Sequence, residues 1–222
     1  SNNNSFAALT NDKKLYTWGN IHSSNKMNRN PVDNNDNNDI DFISSVYHVR
    51  RTQYAWAVLV PDKDTSTEGW DENPSFKVIC FGGQGINNEG VYGYHTSYNE
   101  GNYNNYGEYM NYYDYKTSTI KSHDSLGLNS NIKKLYSNDR AFAALTHDNK
   151  VITWGYSEDG INYGGSPYYQ DNSFNWISVE NDLSSGVNDI VSNAYSFLAI
   201  KDNEIVVWGN RYSGGAPYII DD

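Results

Sequence analysis

One short segment returns along the chain, and that recurrence limits the possible folds more than any other feature. Ser5-Phe6-Ala7-Ala8-Leu9-Thr10 comes back as Ala141-Phe142-Ala143-Ala144-Leu145-Thr146 and again as Ser196-Phe197-Leu198-Ala199-Ile200-Lys201. Each copy runs through a short polar stretch into a second apolar run ending in Trp-Gly: Leu15 to Gly19, Val151 to Gly155 and Ile205 to Gly209. A looser copy spans Tyr54 to Val60 and, after a longer turn, Lys77 to Gly82. The spacings between Trp18, Phe81, Trp154 and Trp208 are 63, 73 and 54 residues. Such an array builds one supersecondary unit several times and buries apolar faces between neighbouring units.

The unit reads as a β-hairpin. Two short β-prone runs flank Asn11-Asp12-Lys13-Lys14, His147-Asp148-Asn149-Lys150 and Lys201-Asp202-Asn203-Glu204, where Asp initiates a turn and Asn tolerates a left-handed backbone. Lys13 replaces Asn in the first copy, which predicts a strained turn or one of another type. The glycine after each Trp or Phe predicts a strand end needing positive φ or close packing. A further apolar strand precedes the later hairpins, from Ile132 to Asn138 and from Val187 to Asn193. Three or four strands in roughly 50–70 residues is the arithmetic of a propeller blade.

On these residues the chain resembles the regulator of chromosome condensation family, whose blades carry an apolar strand, a small-residue Ala-Leu strand, an Asp-Gly turn and a Val-x-x-Trp-Gly strand. The hairpins at 5–19, 141–155 and 196–209 carry the resemblance and the one at 54–82 follows it loosely. The family's Gly-Gln-Leu-Gly segment is replaced by Gly83-Gln84-Gly85, Gly164-Gly165 and Gly214-Gly215. In this respect the chain is more similar to the degenerate repeats of large bacterial surface proteins, which places it at a cell or particle surface before an intracellular site. The resemblance implies an all-β fold of tandem propeller-like blades, as a partial or unusual β-propeller with long Asn- and Tyr-rich insertions. The departures weigh against the family's exchange activity on a small GTPase. The approximate units are 1–50, 51–137, 138–191 and 192–222, forming one repeat domain. Four hairpins and a first unit lacking its leading strand fit a segment of a longer protein, or a small closure in which the ends pair.

A hydrophobic fraction of 37% with 15% aromatic residues means that Trp, Tyr and Phe must carry much of the burial. The formal net charge of −11 disfavours a surface that tracks nucleic-acid phosphates or docks on anionic lipid. No stretch nears the roughly 18 consecutive apolar residues of a spanning helix. The single cysteine, Cys80, excludes an internal disulfide and lies in an apolar run where it reads as a small core residue.

Residues 20–39 are rich in Asn and Asp, but Asn38 stands where a calcium loop needs Gly and no Glu takes the twelfth position. They read as a solvated loop. The insertion at 83–119 is the largest, with nine tyrosines between Tyr92 and Tyr115. Tyrosine gives amphipathic contact area at low entropic cost, so Tyr94, Tyr98, Tyr103, Tyr106, Tyr109, Tyr112 and Tyr113 are candidate partner-binding residues, together with the loops that follow each Trp-Gly. An inert insertion is the competing reading.

No nucleophile elbow, phosphate-binding loop or dinucleotide fingerprint occurs, and the five histidines show no ligand spacing. The expectation is therefore a chain without catalytic residues, metal or cofactor. It acts as a protein-interaction or architectural module with a protein partner or larger assembly, or alternatively as a carbohydrate-binding adhesin segment whose partner is a glycan. The repeat positions Phe6, Leu9, Trp18, Phe142, Leu145, Trp154, Phe197, Ile200 and Trp208 are expected in the core.

Overall fold

The computed structural model describes residues 1–3, 5–19, 42–53, 55–62, 74–82, 112–114, 119–121, 126–155, 157–158 and 161–217. The chain is all-β. In order, the strands are β1 (Ser5–Leu9), β2 (Leu15–Gly19), β3 (Phe42–Ile43), β4 (His48–Arg51), β5 (Ala55–Pro61), β6 (Phe76–Gly82), β7 (Tyr112–Asp114), β8 (Thr119–Lys121) and β9 (Ile132–Ser137). They continue as β10 (Ala141–Thr146), β11 (Val151–Gly155), β12 (Ser157–Glu158), β13 (Ile161–Asn162), β14 (Tyr168–Gln170), β15 (Trp176–Ser178), β16 (Asp189–Ser192), β17 (Ser196–Ile200) and β18 (Ile205–Gly209).

Four propeller-like blades result, all antiparallel. The first is β1-β2-β3, the second β4-β5-β6, the third β9-β10-β11 and the fourth β16-β17-β18, with the second and third joined where Phe76 pairs Ile132. The hairpin register is the same each time: Phe6 faces Trp18, Trp56 faces Phe81, Phe142 faces Trp154 and Phe197 faces Trp208. Where both rings are described they stack, Phe142 on Trp154 at 5.4 Å and Phe197 on Trp208 at 5.2 Å between centroids. Directly opposed aromatic pairs of this kind stabilise a sheet beyond their buried area.

Three local devices explain why each copy folds alike. The residue three before each hairpin closes a turn on the strand: Asn2, Thr52, Asn138 and Asn193 each donate N–H to the carbonyl of Ser5, Ala55, Ala141 and Ser196, at 2.9, 2.9, 3.0 and 3.1 Å. Their side-chain oxygens accept the N–H of the same four residues in return. These are the side-chain turns that Asn and Thr favour.

In the third and fourth blades the glycine ending the hairpin is forced by its partner. A Cβ on Gly155 (φ +125°) would lie 2.6 Å from Ala141 Cα, and one on Gly209 (φ +114°) 2.9 Å from Ser196 Cα. Both expectations for this glycine, positive φ and close packing, hold. The hairpin turns place Lys13 at φ 65° and Asn149 at φ 61°, so the first turn keeps the shape of the third blade's and Lys13 bears the strain. The fourth blade's turn differs, closing from Lys201 N to Glu204 O at 3.0 Å.

The second and third blades bury both faces against their neighbours. Phe142, Ala144, Ile152 and Trp154 pack on Ala55, Ala57, Leu59, Val78 and Cys80 of the second blade. The opposite face of the same strands, Ala141, Ala143, Leu145 and Val151, packs on Phe197, Ala199, Val206 and Trp208 of the fourth. Leu15 and Ala7 of the first blade meet Trp56, Val58 and Val60 of the second. Alternation with period two sends successive residues to different neighbours, and alanine on one face lets the sheets approach.

A backbone ladder links the blades head to tail. Asn3 N donates to Gln53 O, Gln53 N to Asp139 O and Asp139 N to Ala194 O, at 2.9, 2.8 and 3.1 Å. All four residues stand two before the hairpin strand, so one equivalent residue per blade forms a continuous chain of bonds.

The expected core holds in its centre and fails at its ends. Phe142, Leu145, Trp154, Phe197 and Trp208 are buried, whereas Phe6, Leu9 and Ile200 are exposed. Phe6 and Ile200 lie on faces with no described blade against them, and Leu9 is the last residue of β1 beside its turn. The side chain of Trp18 lies outside the described residues.

Candidate functional site

Of the predicted partner-binding tyrosines, Tyr94, Tyr98, Tyr103, Tyr106 and Tyr109 lie outside the described residues. Tyr112 and Tyr113 belong to β7, which pairs with β8 in a separate two-stranded sheet, Tyr112 opposite Lys121 and Tyr113 opposite Ile120. Only their backbone is described.

The strands hold a polar row of their own. His48, Lys134 and Asp189 occupy one register position in β4, β9 and β16, opposite Leu59, Leu145 and Ile200. Lys134 Nζ reaches Asp189 Oδ1 at 2.9 Å, and the Tyr136 hydroxyl donates to the same oxygen. The Tyr136 bond, with Lys134, holds the Asp189 carboxyl below the usual range, and the bond to Asp189 raises Lys134. Burial, then the Arg50 and Lys134 charges, pushes His48 down to about 4. This pair is nearly half exposed on both sides, so it contributes about 1 kcal/mol or less. It is a structural seam between blades, with its charges already satisfied.

The loops after Trp154-Gly155 and Trp208-Gly209 build something different. The first folds back as the hairpin β14-β15, whose tip is tied by Asp171: its Oδ1 accepts from Ser173 N and Asn175 N at 2.8 Å each, and its N–H donates to Asn175 O at 3.0 Å. The bonds from Asn175 come first in holding this carboxyl below its ordinary pKa, with Arg211 adding to them. The tip sets Phe174 at φ 63°, a left-handed backbone that a bulky residue adopts only where surrounding bonds hold it. Phe174 is thereby turned outward and is exposed.

The second loop starts at Asn210, whose side chain accepts from Tyr212 N at 2.9 Å and whose carbonyl accepts from Gly215 N at 2.8 Å. This cap fixes a short 3-10 turn, Arg211–Ser213, ended by Gly214 at φ 82°. Arg211 then crosses to the first loop. Its Nη1 donates to Asp171 O, and its guanidinium lies 4.5 Å from the Phe174 ring centroid and 5.4 Å from that of Tyr212.

The product is a surface on which exposed Phe174, Trp176 and Tyr212, the last 78% exposed, surround a half-buried Arg211. Asn162, Gln170, Trp176, Asn210, Arg211 and Tyr212 line a shallow cleft of about 70 Å³. That volume is far below the roughly 300–1,000 Å³ of small-molecule sites. Trp, Tyr and Arg are the residue types that dominate protein interface hot spots, and cation–π contacts with the flanking bonds pre-set the guanidinium. All four residues belong to loops that follow Trp154-Gly155 or Trp208-Gly209, and none had a distinguishing mark in sequence.

Beneath the patch, Asn162 is buried and fully bonded, donating to Ser166 O and Tyr168 O at 2.8 and 2.7 Å and accepting from Gly164 N at 2.8 Å. Gly164 carries the indole of Trp208 through a 3.1 Å bond to its carbonyl, and a Cβ there would meet Phe197 at 2.5 Å. Among the described residues no group of three His, Cys, Asp or Glu gathers in a ligand-like cluster, and no helix is long and apolar enough to cross a membrane.

No protein-family model matches the chain, and no curated protein matches it in sequence. Solved structures similar to it include Prp20p of Saccharomyces cerevisiae, described with its binding to Gsp1p and histones, at 13% identity and a TM-score of 0.48 over 98% of this chain and 46% of that one. Yeast RCC1 (Prp20) with Kap60 gives 14% identity and a TM-score of 0.49 over 100% and 45%. The ectodomain of the Physcomitrella patens receptor kinase CR4 gives 12% and 0.41 over 94% and 39%. The chain spans less than half the length of each, and these values lie below those at which shared function follows.

Proposed function

We propose that this chain is a non-catalytic protein-interaction or architectural module, whose blades form a scaffold and whose post-Trp-Gly loops make the contact. The observation that carries this reading is the surface of exposed Phe174, Trp176 and Tyr212 around a half-buried Arg211, held by bonds to Asp171 and Asn210, while the strands of the second and third blades spend both faces on packing. Loops on a fixed scaffold are where binding residues concentrate. The tyrosine insertion, with Tyr94 to Tyr113, is the second contact element in this reading. Its Glu100, Glu108 and Asp114 would steer a basic partner, so binding weakens as salt rises.

The test compares wild type with an Arg211→Ala/Tyr212→Ala double variant, and separately with residues 92–115 replaced by a Gly-Ser linker. A basic protein captured by wild type should lose about tenfold or more in affinity, about 1.4 kcal/mol, with the unfolding midpoint unchanged. Binding on a glycan array that disappears with the same variants would replace this reading with the adhesin one. Capture insensitive to both changes would refute it.

A further inference from the structure

The first strands of the second and third blades turn the same face towards the next blade but meet different charges there. Residues directly opposite on neighbouring strands share a face. Arg50 and His48 of β4 stand opposite Ala57 and Leu59, which pack on Leu135, Phe142 and Ala144 of the third blade. Tyr136 and Lys134 of β9 stand opposite Ala143 and Leu145, which pack on the fourth. His48 and Lys134 therefore hold one position in successive blades, and Arg50 and Tyr136 another. Each pair looks across a seam at the first strand of the following blade.

The seam between the third and fourth blades is neutralised, because Lys134 Nζ and the Tyr136 hydroxyl both bond Asp189 Oδ1. Between the second and third blades the position of Asp189 is taken by Lys134. His48 and Arg50 thus meet a cation where their counterparts meet a carboxylate. Among the described residues Arg50 bonds only the carbonyl of its own neighbour Val49, at 3.2 Å. The guanidinium is half-buried, and burial lowers its pKa with no carboxylate to offset it. Taking a charge from water without an anion beside it is costly. His48 is also half-buried, makes no hydrogen bond among the described residues, and after its own burial feels Arg50 and Lys134. Arg50, Lys134 and Tyr136 are the titratable groups facing it from β4 and β9, and Asp189 is already committed to Lys134 and Tyr136.

We propose that the seam between the second and third blades binds an oxyanion, a carboxylate or a phosphate, gripped by the Arg50 guanidinium with the Lys134 ammonium and the His48 ring beside it. The planar guanidinium fork matches two oxygens of either group. Lys134 retains N–H donors beyond the one given to Asp189, and His48 becomes a donor by taking up a proton from solvent as the anion arrives. The anion supplies here what Asp189 supplies in the next seam. The site is built on strands and shares no residue with the Phe174, Trp176, Arg211 and Tyr212 surface, so the two readings fail separately.

The His48 ring is the reporter, followed by NMR and assigned with His48→Gln. At neutral pH its resonances should move saturably with sodium phosphate or sodium acetate, and not with sodium chloride of equal ionic strength. In saturating phosphate its pKa should rise from about 4 towards 6.5. Phosphate bound more tightly than acetate assigns the site to phosphate groups, and the reverse assigns it to carboxylates. Arg50→Gln should weaken binding about tenfold or more, with an unfolding midpoint in chloride at least as high as wild type, and Arg50→Lys should fall between them. Phosphate should raise the wild-type midpoint above that in chloride and leave Arg50→Gln unmoved. Arg51→Gln, an exposed position on the other face of β4, and the Arg211→Ala/Tyr212→Ala variant should bind as wild type does. No saturable shift with either anion, equal binding in Arg50→Gln, or an equal loss in Arg51→Gln would each overturn the proposal.

Discussion

Replacing Gly155 with Ala isolates the device that ends the hairpins of the third and fourth blades. Two costs arise there. A side chain at φ +125° occupies sparsely allowed backbone space, at roughly 1–3 kcal/mol. Its Cβ would stand 2.6 Å from Ala141 Cα and 2.9 Å from Arg140 O, atoms of the backbone that Asn138 clamps through bonds of 2.6 and 2.7 Å to Ala141 N and Arg140 N. Neither can yield without breaking that turn, so overpacking adds about 1–3 kcal/mol. The total of about 2–6 kcal/mol is a large share of a stability that is ordinarily about 5–15. Gly127 supplies the control, since its φ is +77° but the nearest atom to an added Cβ is the end of Ile152 at 3.9 Å. Gly127→Ala should cost only the backbone component, about 1–2 kcal/mol. Equilibrium urea unfolding followed by tryptophan fluorescence, extrapolated to water, gives both values. If the two variants agree within about 0.5 kcal/mol, contact with the β10 backbone is not what requires glycine, and the account of the hairpin end is wrong.

The two buried tryptophans should respond differently to Phe. Trp208→Phe loses the 3.1 Å bond to Gly164 O, whereas Trp154 Nε1 has no hydrogen-bond partner among the described residues, so Trp208→Phe should cost about 1–2 kcal/mol more in the same unfolding assay. Asn138→Ala should cost about 2–4 kcal/mol by orphaning the buried Ala141 N–H and the Tyr163 carbonyl, and Asn138→Asp, which keeps the acceptor, should cost less. His48, held at about 4 against an unfolded 6.5, stays neutral while the unfolded chain takes up a proton. Stability should therefore be full above pH 6.5 and fall as pH drops towards 4; Asp171 and Asp189, lowered from 3.8, titrate below that window. His48→Gln should flatten the slope measured by denaturant midpoints across it, and an unaltered slope would remove His48 as its source.

The sequence by itself determined the blade. The hairpin pairs, the register of Phe142 on Trp154 and Phe197 on Trp208, the extra strand before each hairpin and the glycine at its end are local matters, governed by turn chemistry and period-two patterning. They recur because the same residues recur. Cys80 was legible as a core residue on the same grounds, and burial does push its thiol up.

Exposure is a property of what a neighbouring blade covers, and only the tertiary structure decided it. Phe6, Phe142 and Phe197 are interchangeable in sequence, yet the first is exposed and the others are buried, because a described neighbouring blade covers only the latter two. Ile205 and Val151 part for the same reason. The contact surface had no local signature either. Trp176 and Arg211 are far apart in the chain, and the hairpin β14-β15 had to fold back on the fourth blade before Arg211 could reach Asp171 and Phe174. Tyrosine abundance drew attention to the 83–119 insertion because composition is visible in a sequence, whereas an arginine pre-set between two aromatic rings exists only once the blades have stacked.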